Sequence, residues 1–378
     1  MFLYIHDLID ADGDFATPQI VGSYSINGDG EYCDDLSQLR YIKQSKKFPF
    51  NLDDTRGMIK KSDKDVKISY LLRWITEHFD DLRNQDSNNA TTKWLEADFV
   101  CYRGLLRTLL ATPYDTEGWL ICASKFKGTI YLCAYDTEAK KQRVLTETAY
   151  SKRCTLWGHK FEKYMVAASP TAEPDLSVPL NLNELFGGVF KSQLGNRVLL
   201  YAGEMDAIYS KEPILGTNTI KGKNIEFIEL KTINKKFITR NGHMTYNQIA
   251  QRGEKLLRWF LQSHLVGIKR IICGCRDFKG IVNKVVEFKI DKIREDSQKN
   301  WDFEICKKFA IGFIDRIREI VSLNYDNCMY QFIYEPGRNR INVVTSRPDP
   351  DPESEYTFLY SWYVNAARRH FENSEIAN

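Results

Sequence analysis

Two stretches of sequence decide the fold, Val198-Leu-Leu-Tyr-Ala-Gly-Glu-Met-Asp-Ala-Ile-Tyr209 and Ile225-Glu-Phe-Ile-Glu-Leu-Lys231. Apolar and aromatic residues dominate both of them, and such residues suit a pleated sheet. We therefore predict a β-strand in each stretch. If the two strands pair, their charged residues meet at a single place.

The charged residues of these strands are Glu204, Asp206, Glu229 and Lys231. Because successive side chains of a strand point to opposite faces, Glu204 and Asp206 are expected to share one face. The same rule places Glu229 and Lys231 together on one face and Leu230 on its back. Pairing of the strands would therefore gather three carboxylates and one ammonium group.

Carboxylates that lie close together repel one another unless a cation neutralises them. Mg²⁺ and Mn²⁺ prefer oxygen ligands, and they leave positions open for water and phosphate. The lysine beside such ions would orient or deprotonate a water, or stabilise charge on a phosphate. The alternative is two exposed strands with solvated charges. The combined pattern favours metal-dependent phosphodiester chemistry.

Composition limits the function classes. The chain of 378 residues has a net charge of +3, which permits a nucleic-acid partner without requiring one. It contains no apolar run long enough to span a membrane, and the N-terminal residues lack the basic segment of a signal peptide. Its nine cysteines are scattered and odd in number, which predicts free thiols. The close pair Cys273 and Cys275 lies in a predicted strand, which favours packing over metal binding.

Further candidates lie outside the two strands. A helix beginning near Gly158 would place Glu162 at the edge of an apolar stripe, where a carboxylate needs either a metal or a partner such as an arginine. His159 is expected to be a surface or packing residue. Arg103 and Arg107 lie where a predicted strand runs into a predicted helix and are four residues apart, so within a helical stretch they could share a face and bind phosphate. A structural salt bridge is the alternative for them.

A strong helix is predicted at residues 247–265. Lys255, Arg258, Trp259 and Gln262 form a stripe beside its apolar face. This stripe would suit a nucleic-acid strand, with cations on phosphates and Trp259 stacking on a base. The alternative is an ordinary helix edge with Trp259 in the core.

The remaining chain mixes predicted helices and strands without an internal repeat or a dividing linker, so one domain is the simplest interpretation. Residues 1–65 are expected to be surface extension and loops, with a basic cluster at residues 43–47. Residues 136–151 are expected to be a polar connection, and residues 86–90 and 348–352 to be loops. Helices are predicted at residues 66–83, 105–110, 185–194, 303–323 and 362–371, strands at 99–104, 268–275 and 281–288, and hairpins at 119–135 and 329–345.

In this order, the motifs resemble the DXO family of RNA 5′-end decapping exoribonucleases, and its animal branch most. The resemblance covers roughly residues 95–365. It rests on Cys101-Tyr-Arg-Gly-Leu105, Thr112-Pro-Tyr-Asp115, Gly158-His-Lys-Phe-Glu162, Gly203-Glu-Met-Asp206, Ile228-Glu-Leu-Lys-Thr232, Trp259-Phe-Leu-Gln-Ser-His-Leu-Val-Gly267, Tyr334-Glu-Pro-Gly337 and Trp362-Tyr-Val364.

The resemblance implies roles for individual residues. Lys231 and Gln262 would position the nucleophilic water, and Arg103 would bind the RNA 5′ phosphate. His159 stands where the family usually has tyrosine, and little effect on the chemistry is expected. The metal ligands would be the four carboxylates and one backbone carbonyl, namely Glu162, Glu204, Asp206, Glu229 and Leu230.

The same resemblance implies an α+β fold with two mixed β-sheets flanked by helices, like the PD-(D/E)XK nuclease core of restriction endonucleases. Residues 1–378 would form one decapping nuclease domain, with an N-terminal extension at 1–95 and a catalytic core at 96–365. The expected cofactor is Mg²⁺, with Mn²⁺ as a substitute, at two ions per site.

The implied function is hydrolysis of RNA 5′ ends that are incompletely capped, triphosphorylated or NAD-capped, with 5′→3′ exoribonuclease activity. A monomer in the nucleus is expected, with a cytoplasmic pool left open. No membrane partner and no associated larger exoribonuclease are expected. Two alternatives remain, namely a catalytically silent protein that binds RNA 5′ ends and a DNA nuclease.

Overall fold

A computed structural model of the protein describes residues 1–43, 48–62, 66–84, 93–245, 253–345 and 355–376. The predicted loops at 86–90 and 348–352, most of the basic cluster and the start of the predicted 247–265 helix lie outside these ranges. Within them, no helix is both long and apolar enough to cross a membrane.

The larger of two sheets is mixed, because its central strands pair in both directions. Its strands, in chain order across both sheets, are β1 (Phe2–Tyr4), β2 (Gln19–Ile26), β3 (Tyr32–Cys33), β6 (Phe99–Tyr102), β7 (Trp119–Phe126), β8 (Thr129–Tyr135), β10 (Leu185–Leu194), β11 (Arg197–Glu204), β16 (Tyr330–Glu335) and β17 (Arg340–Thr345). They are arranged in the order β1-β17-β16-β7-β8-β6-β11-β10-β2-β3.

The smaller sheet is also mixed and has the order β5-β15-β14-β13-β12-β4-β9. Its strands are β4 (Tyr41–Ile42), β5 (Phe50–Asn51), β9 (Val166–Ala167), β12 (Ala207–Tyr209), β13 (Glu226–Asn234), β14 (Arg270–Arg276) and β15 (Ile281–Lys289). The predicted strands at 268–275 and 281–288 are therefore confirmed.

Helices flank both sheets. In the described ranges they are α1 (Ile5–Leu8), α2 (Ser69–Glu77), α3 (Phe79–Leu82), α4 (Arg103–Ala111), α5 (Glu138–Leu145), α6 (Ala149–Met165), α7 (Gly253–His264), α8 (Ile290–Ser297), α9 (Phe303–Ile320) and α10 (Ser361–Ile376). The predicted α+β fold with two mixed sheets and flanking helices is confirmed.

The first deciding stretch is not one strand, as predicted, but two. β11 ends at Glu204 in the larger sheet, and β12 begins at Ala207 in the smaller sheet. Between them, the Met205 amide donates a hydrogen bond to the Phe186 carbonyl at 2.8 Å, and the Met205 side chain is buried. The chain therefore changes sheets at the point where the two carboxylates lie. The predicted pairing with the second stretch is confirmed, since Ala207 lies opposite Ile228.

The prediction of a helix at residues 185–194 is wrong, because this segment is strand β10. It lies between β2 and β11 and pairs with both of them. A Cβ on Gly187 would lie 2.4 Å from the Tyr24 ring, so a glycine is needed where this ring crosses the strand. Pairing on both sides thus outweighs the weak local pattern.

Residues 136–151 were predicted to be a polar connection and instead contain α5 and the start of α6. Threonine hydroxyls cap both helices, since Thr137 accepts from the Lys140 amide and Thr148 from the Ser151 amide. The predicted 66–83 helix is interrupted at His78. The hairpin at Lys127 and Gly128 is confirmed, and both residues have positive φ.

The N-terminal region is more than surface loops. β2 lies inside the larger sheet with Tyr24 and Ile26 buried, and β4 and β5 belong to the smaller sheet. Residues 1–65 therefore contribute to both sheets, which the sequence pattern did not predict. The division into an extension and a core at residue 95 stays a prediction.

The core lies mainly between the two sheets. On β13, Phe227 and Ile233 face this central core, whereas Ile228 and Leu230 pack with Phe161 of α6 on the opposite face. Glu229 and Lys231 alternate with the latter pair, so they point toward the space between the sheets. All nine cysteines are free, and the predicted packing role of Cys273 and Cys275 is confirmed by their burial in β14.

Candidate active site

Glu229 is the centre of a polar cluster between the sheets. Its side chain is 1% exposed and forms an ion pair with the ammonium group of Lys231. The same oxygen, Oε1, accepts a hydrogen bond of 2.6 Å from Gln262 Nε2. The other oxygen, Oε2, makes no hydrogen bond and lies 3.8 Å from Arg103 Nη1. A buried carboxylate is thus held by two hydrogen-bonding groups, and its second oxygen forms an ion pair with Arg103 but accepts no hydrogen bond.

Arg103 reaches this cluster from the junction between β6 and α4. Its Nη2 donates to the Glu204 carbonyl oxygen at 2.9 Å, and its Nη1 donates to the Gln262 carbonyl oxygen at 3.5 Å. A Cβ on Gly203 would lie 2.8 Å from Arg103 Nε. Because Gly203 has no side chain, the Arg103 guanidinium group can cross β11 at this position.

Asp206 and Glu204 flank the change of sheets. The Leu230 amide donates to Asp206 Oδ2 at 2.7 Å, which links β13 to the segment after β11. Burial, and then the charges of Glu229 and Glu162, raise the pKa of Asp206 well above its ordinary value. Dense surrounding protein, followed by the charge of Glu162, raises the pKa of Glu204, although this side chain keeps exposed surface. The carboxylates therefore repel one another, as the sequence predicted.

Glu162 lies on α6, and its side chain is 31% exposed. Among the described residues its ion-pair partner is His159, whose Nδ1 lies 3.5 Å from Glu162 Oε2, so the arginine partner considered above is not found. The hydrogen bond to Glu162 raises the pKa of His159. The His159 side chain is 39% exposed, in keeping with the surface position expected for it, and it partly neutralises the carboxylate when it is protonated.

The donor set fits a hard divalent cation by its chemistry. It consists of carboxylate oxygens that repel one another, and Glu229 Oε2 has no hydrogen-bond partner. Within the described ranges, no three such side chains lie close enough to form a complete metal cage. Leu230 adjoins the site through its amide, and the role of its carbonyl stays a prediction.

A cavity of about 710 Å³ opens beside the cluster, and Arg103, Glu204 and Gln262 form part of its wall. Arg107 also lines it and donates to Gln262 Oε1 at 3.4 Å. Burial, followed by the charges of Arg258 and Arg103, lowers the pKa of Arg107. In the described parts of the chain Arg107 has no carboxylate ion pair, so the structural salt bridge considered for it is not found. Two adjacent guanidinium groups therefore face a cavity.

Several cavity residues were missed by the sequence analysis. Tyr24, Asp29, Lys61 and Tyr70 line it, and all of them come from the N-terminal region. Tyr24 lies on β2 and Tyr70 on α2, whereas Asp29 and Lys61 lie in connections, and no motif in the sequence singled them out. On α7, Trp259 is 6% exposed, which confirms its core alternative.

Residues 16–364 match the protein family described as RAI1 like PD-(D/E)XK nuclease. The chain belongs to this family. The match extends from β2 to α10, so it includes all of the site residues. The predicted kinship with decapping nucleases and the predicted nuclease fold are both confirmed.

Curated relatives of this nuclease family cover most of the chain. The decapping and exoribonuclease protein of Xenopus laevis is 31% identical over 368 residues, which are 93% of this chain and 86% of the relative. The protein of the same name from Rattus norvegicus is 30% identical over 367 residues, or 93% and 85% of the two chains.

Solved structures of the family share the fold. Scheffersomyces stipitis Rai1 in complex with (3′-NADP)+ and calcium ion is 19% identical with a TM-score of 0.76, and the match covers 96% of this chain and 98% of that one. Candida albicans Rai1 in complex with pU5-Mn2+ is 20% identical with a TM-score of 0.76, covering 95% and 97%.

Proposed function

We propose that this protein is a divalent-metal-dependent hydrolase of RNA 5′ ends. It removes incomplete caps, the pyrophosphate of 5′ triphosphates and NAD caps, and it leaves RNA with a 5′ monophosphate. Digestion of the RNA body from 5′ to 3′ accompanies this activity in RNA quality control. The animal relatives are named decapping and exoribonuclease proteins, and two fungal Rai1 structures contain a dinucleotide or a 5′-phosphorylated oligonucleotide together with a metal ion.

One observation supports this function most strongly. Glu229 is buried between Lys231 and Gln262, and the cluster borders a cavity whose wall carries Arg103 and Arg107. Phosphodiester hydrolysis needs such a combination, in which acidic oxygens hold cations and guanidinium groups hold phosphates. A protein that only binds RNA would have no use for a repelling set of carboxylates.

Lys231 acts as a cation in this scheme. Burial alone would lower its pKa, but the charges of Glu229 and Asp206 outweigh that effect and raise the pKa. We assign Lys231 to orienting the water and stabilising charge on the scissile phosphate.

Gln262 and Arg103 position the substrate. The Gln262 amide group donates to Glu229 and accepts from Arg107, so its orientation is fixed from both ends. It can hold the attacking water beside the carboxylates. Arg103 lines the cavity with a guanidinium group that suits a 5′ phosphate.

The four carboxylates are the proposed metal ligands, with the Leu230 carbonyl as a fifth. Two Mg²⁺ ions, or Mn²⁺ in their place, would activate water and stabilise the leaving oxygen when bound. The protein contributes oxygen donors whose mutual repulsion favours cation binding.

The test is incubation of the purified protein with 5′-triphosphate, unmethylated-capped, methyl-capped and NAD-capped RNAs. Each reaction is run with Mg²⁺, with Mn²⁺ and with EDTA, and is repeated with the Glu204→Ala/Asp206→Ala variant. We expect the wild-type protein to remove the 5′ group only when metal is present. The double variant should lack this activity. Binding of every RNA without turnover would instead indicate a silent reader of RNA ends.

A matched DNA oligonucleotide separates the RNA hydrolase from the DNA nuclease. Equal cleavage of RNA and DNA would contradict the RNA assignment. We also propose that the protein is a nuclear monomer without a stably bound larger exoribonuclease. Imaging of a tagged protein and light scattering of the purified chain test these points.

A further inference from the structure

A second concave surface lies near the end of β13. It has a volume of about 360 Å³, and the described residues that line it include cationic and aromatic side chains but no carboxylate. We call it the basic groove and define it by Tyr150, Lys236, Lys255, Arg276 and Phe278. Lys255 belongs to the stripe of α7 considered above for nucleic acid, and the other four residues have no role in the chemistry described so far.

Arg276 forms the buried floor of the basic groove. Its guanidinium group lies 4.7 Å from the centre of the Trp157 ring and is 9% exposed. Nη1 donates to the Tyr150 hydroxyl at 3.2 Å and Nη2 to Cys154 Sγ at 3.1 Å, while Nε is buried without a partner. No carboxylate of the described residues forms an ion pair with it. The groove thus contains a buried positive charge that is not neutralised by any carboxylate in the described part of the chain.

The rim of the basic groove presents exposed aromatic rings beside cations. Phe278 is 61% exposed, and Lys236 Nζ lies 5.5 Å from the centre of its ring. Tyr150 is 42% exposed on the opposite side. An exposed phenylalanine is unfavourable in water, but it suits base stacking, and neighbouring lysines suit phosphates. This combination is characteristic of surfaces that bind single-stranded nucleic acid.

The groove and the active site share three structural elements. On α7, Lys255 precedes Gln262 by seven residues, which is about 10 Å along a helix. On β13, Asn234 follows Lys231 by three residues, or about 10 Å along a strand. On α6, Cys154 likewise precedes Glu162 on the same element. The elements that carry Gln262, Lys231 and Glu162 therefore also supply part of the groove.

We propose that the basic groove binds the body of the RNA, on the 3′ side of the scissile bond, while the larger cavity takes the 5′ end. Lys236 and Lys255 would contact phosphates and Phe278 would stack on a base, so binding would not depend on sequence. This inference rests on the proposed function, because it places one substrate across both surfaces.

The test compares a short and a long RNA in the Lys236→Ala/Phe278→Ala variant. Both side chains are at the surface, so folding should be unaffected. The matched control is Lys211→Ala/Leu215→Ala, which removes an exposed lysine and a 78% exposed leucine elsewhere. Affinity for 5′-triphosphate RNAs of two and twenty nucleotides is measured by fluorescence anisotropy in EDTA, and kcat/KM with metal present.

We expect the groove variant to lose about ten-fold or more in affinity and kcat/KM for the long RNA, and little for the short one. The slope of log affinity against log salt should fall by about 0.7 for the lost lysine. Equal losses on both RNAs, or no loss, would overturn the proposal. If the wild-type protein cleaves nothing but the variant still loses affinity for the long RNA, the groove assignment stands and the proposed function fails.

Discussion

At the scale of single residues, Glu229 is the most constrained group of the site. It is buried, paired with Lys231 and hydrogen-bonded by Gln262. Glu229→Gln keeps the size and removes the charge, so Lys231 loses its counter-ion and a metal loses a ligand. We expect metal-dependent cleavage of 5′-triphosphate RNA to fall by about 10²–10³-fold.

The control for this change is Glu226→Gln on the same strand. Glu226 pairs with Arg270 away from the cluster, at 2.9 Å. Its substitution should leave cleavage nearly unchanged. If the activity of Glu229→Gln stays within a few-fold of wild type, Glu229 has no catalytic or metal-binding role.

Gly203 provides a second prediction at this scale. A Cβ there would lie 2.8 Å from Arg103 Nε and 3.1 Å from Arg103 Cβ, so Gly203→Ala must displace the arginine. We expect KM for 5′-triphosphate RNA to rise by roughly ten-fold or more, because charged hydrogen bonds to phosphate are lost. The control is Gly337→Ala, where an added Cβ has no atom within 4 Å. An unchanged KM in Gly203→Ala would show that Arg103 does not contact the substrate.

At the scale of elements, α7 carries both a proposed catalytic side chain and a partly buried histidine. His264 packs between Phe260 and Phe303, with ring centres at 5.2 and 4.8 Å. Burial, followed by the charge of Arg294, lowers the pKa of His264 to about 4. The folded protein therefore keeps this imidazole neutral at pH values where the unfolded chain protonates it.

The sign of the resulting pH dependence follows from linkage. Since the unfolded state binds the extra proton below about pH 6.5, the free energy of unfolding falls as pH drops from about 6.5 toward 4. His264→Phe removes this contribution, which amounts to up to roughly 3 kcal/mol. Urea titrations at several pH values should show a flatter profile than in wild type or in the exposed control His6→Phe. An unchanged profile would contradict the assignment.

The elements also show how far the sequence predicts the site. Alternation along residues 225–231 was enough to place Glu229 and Lys231 on one face. The change of sheets between Glu204 and Asp206 was not predictable, because a continuous strand and a broken one give the same alternation over three residues. It depends on the hydrogen bond of Met205 to β10, a contact between distant segments.

The strand β10 was missed for a related reason. Its local pattern suggested a helix, and only its two neighbours in the larger sheet make it a strand. For Glu162, Arg103 and Gln262 the sequence was also compatible with a purely structural role. Their convergence comes from tertiary packing, and before the structure only the family resemblance indicated it.

At the scale of the whole molecule, the N-terminal region is part of both sheets. β2 covers one side of β10, and Trp74, Leu72 and Ile75 of α2 pack in the core on the larger sheet. We predict that residues 96–378 expressed alone will not fold, since β10 would have an unpaired edge and that core would be exposed. Circular dichroism and proteolysis of this fragment, beside the full chain, provide the measurement. A stable, cooperatively unfolding fragment would support the division at residue 95.

The position of Met205 couples the geometry of the candidate active site to the packing of the two sheets. Glu204 ends a strand of one sheet and Asp206 precedes a strand of the other, with a single buried residue between them. The distance between these two carboxylates therefore depends on the relative position of the two sheets. A substitution in the interior that shifts one sheet by a fraction of an ångström would therefore change the affinity for a cation, although no proposed catalytic residue is replaced.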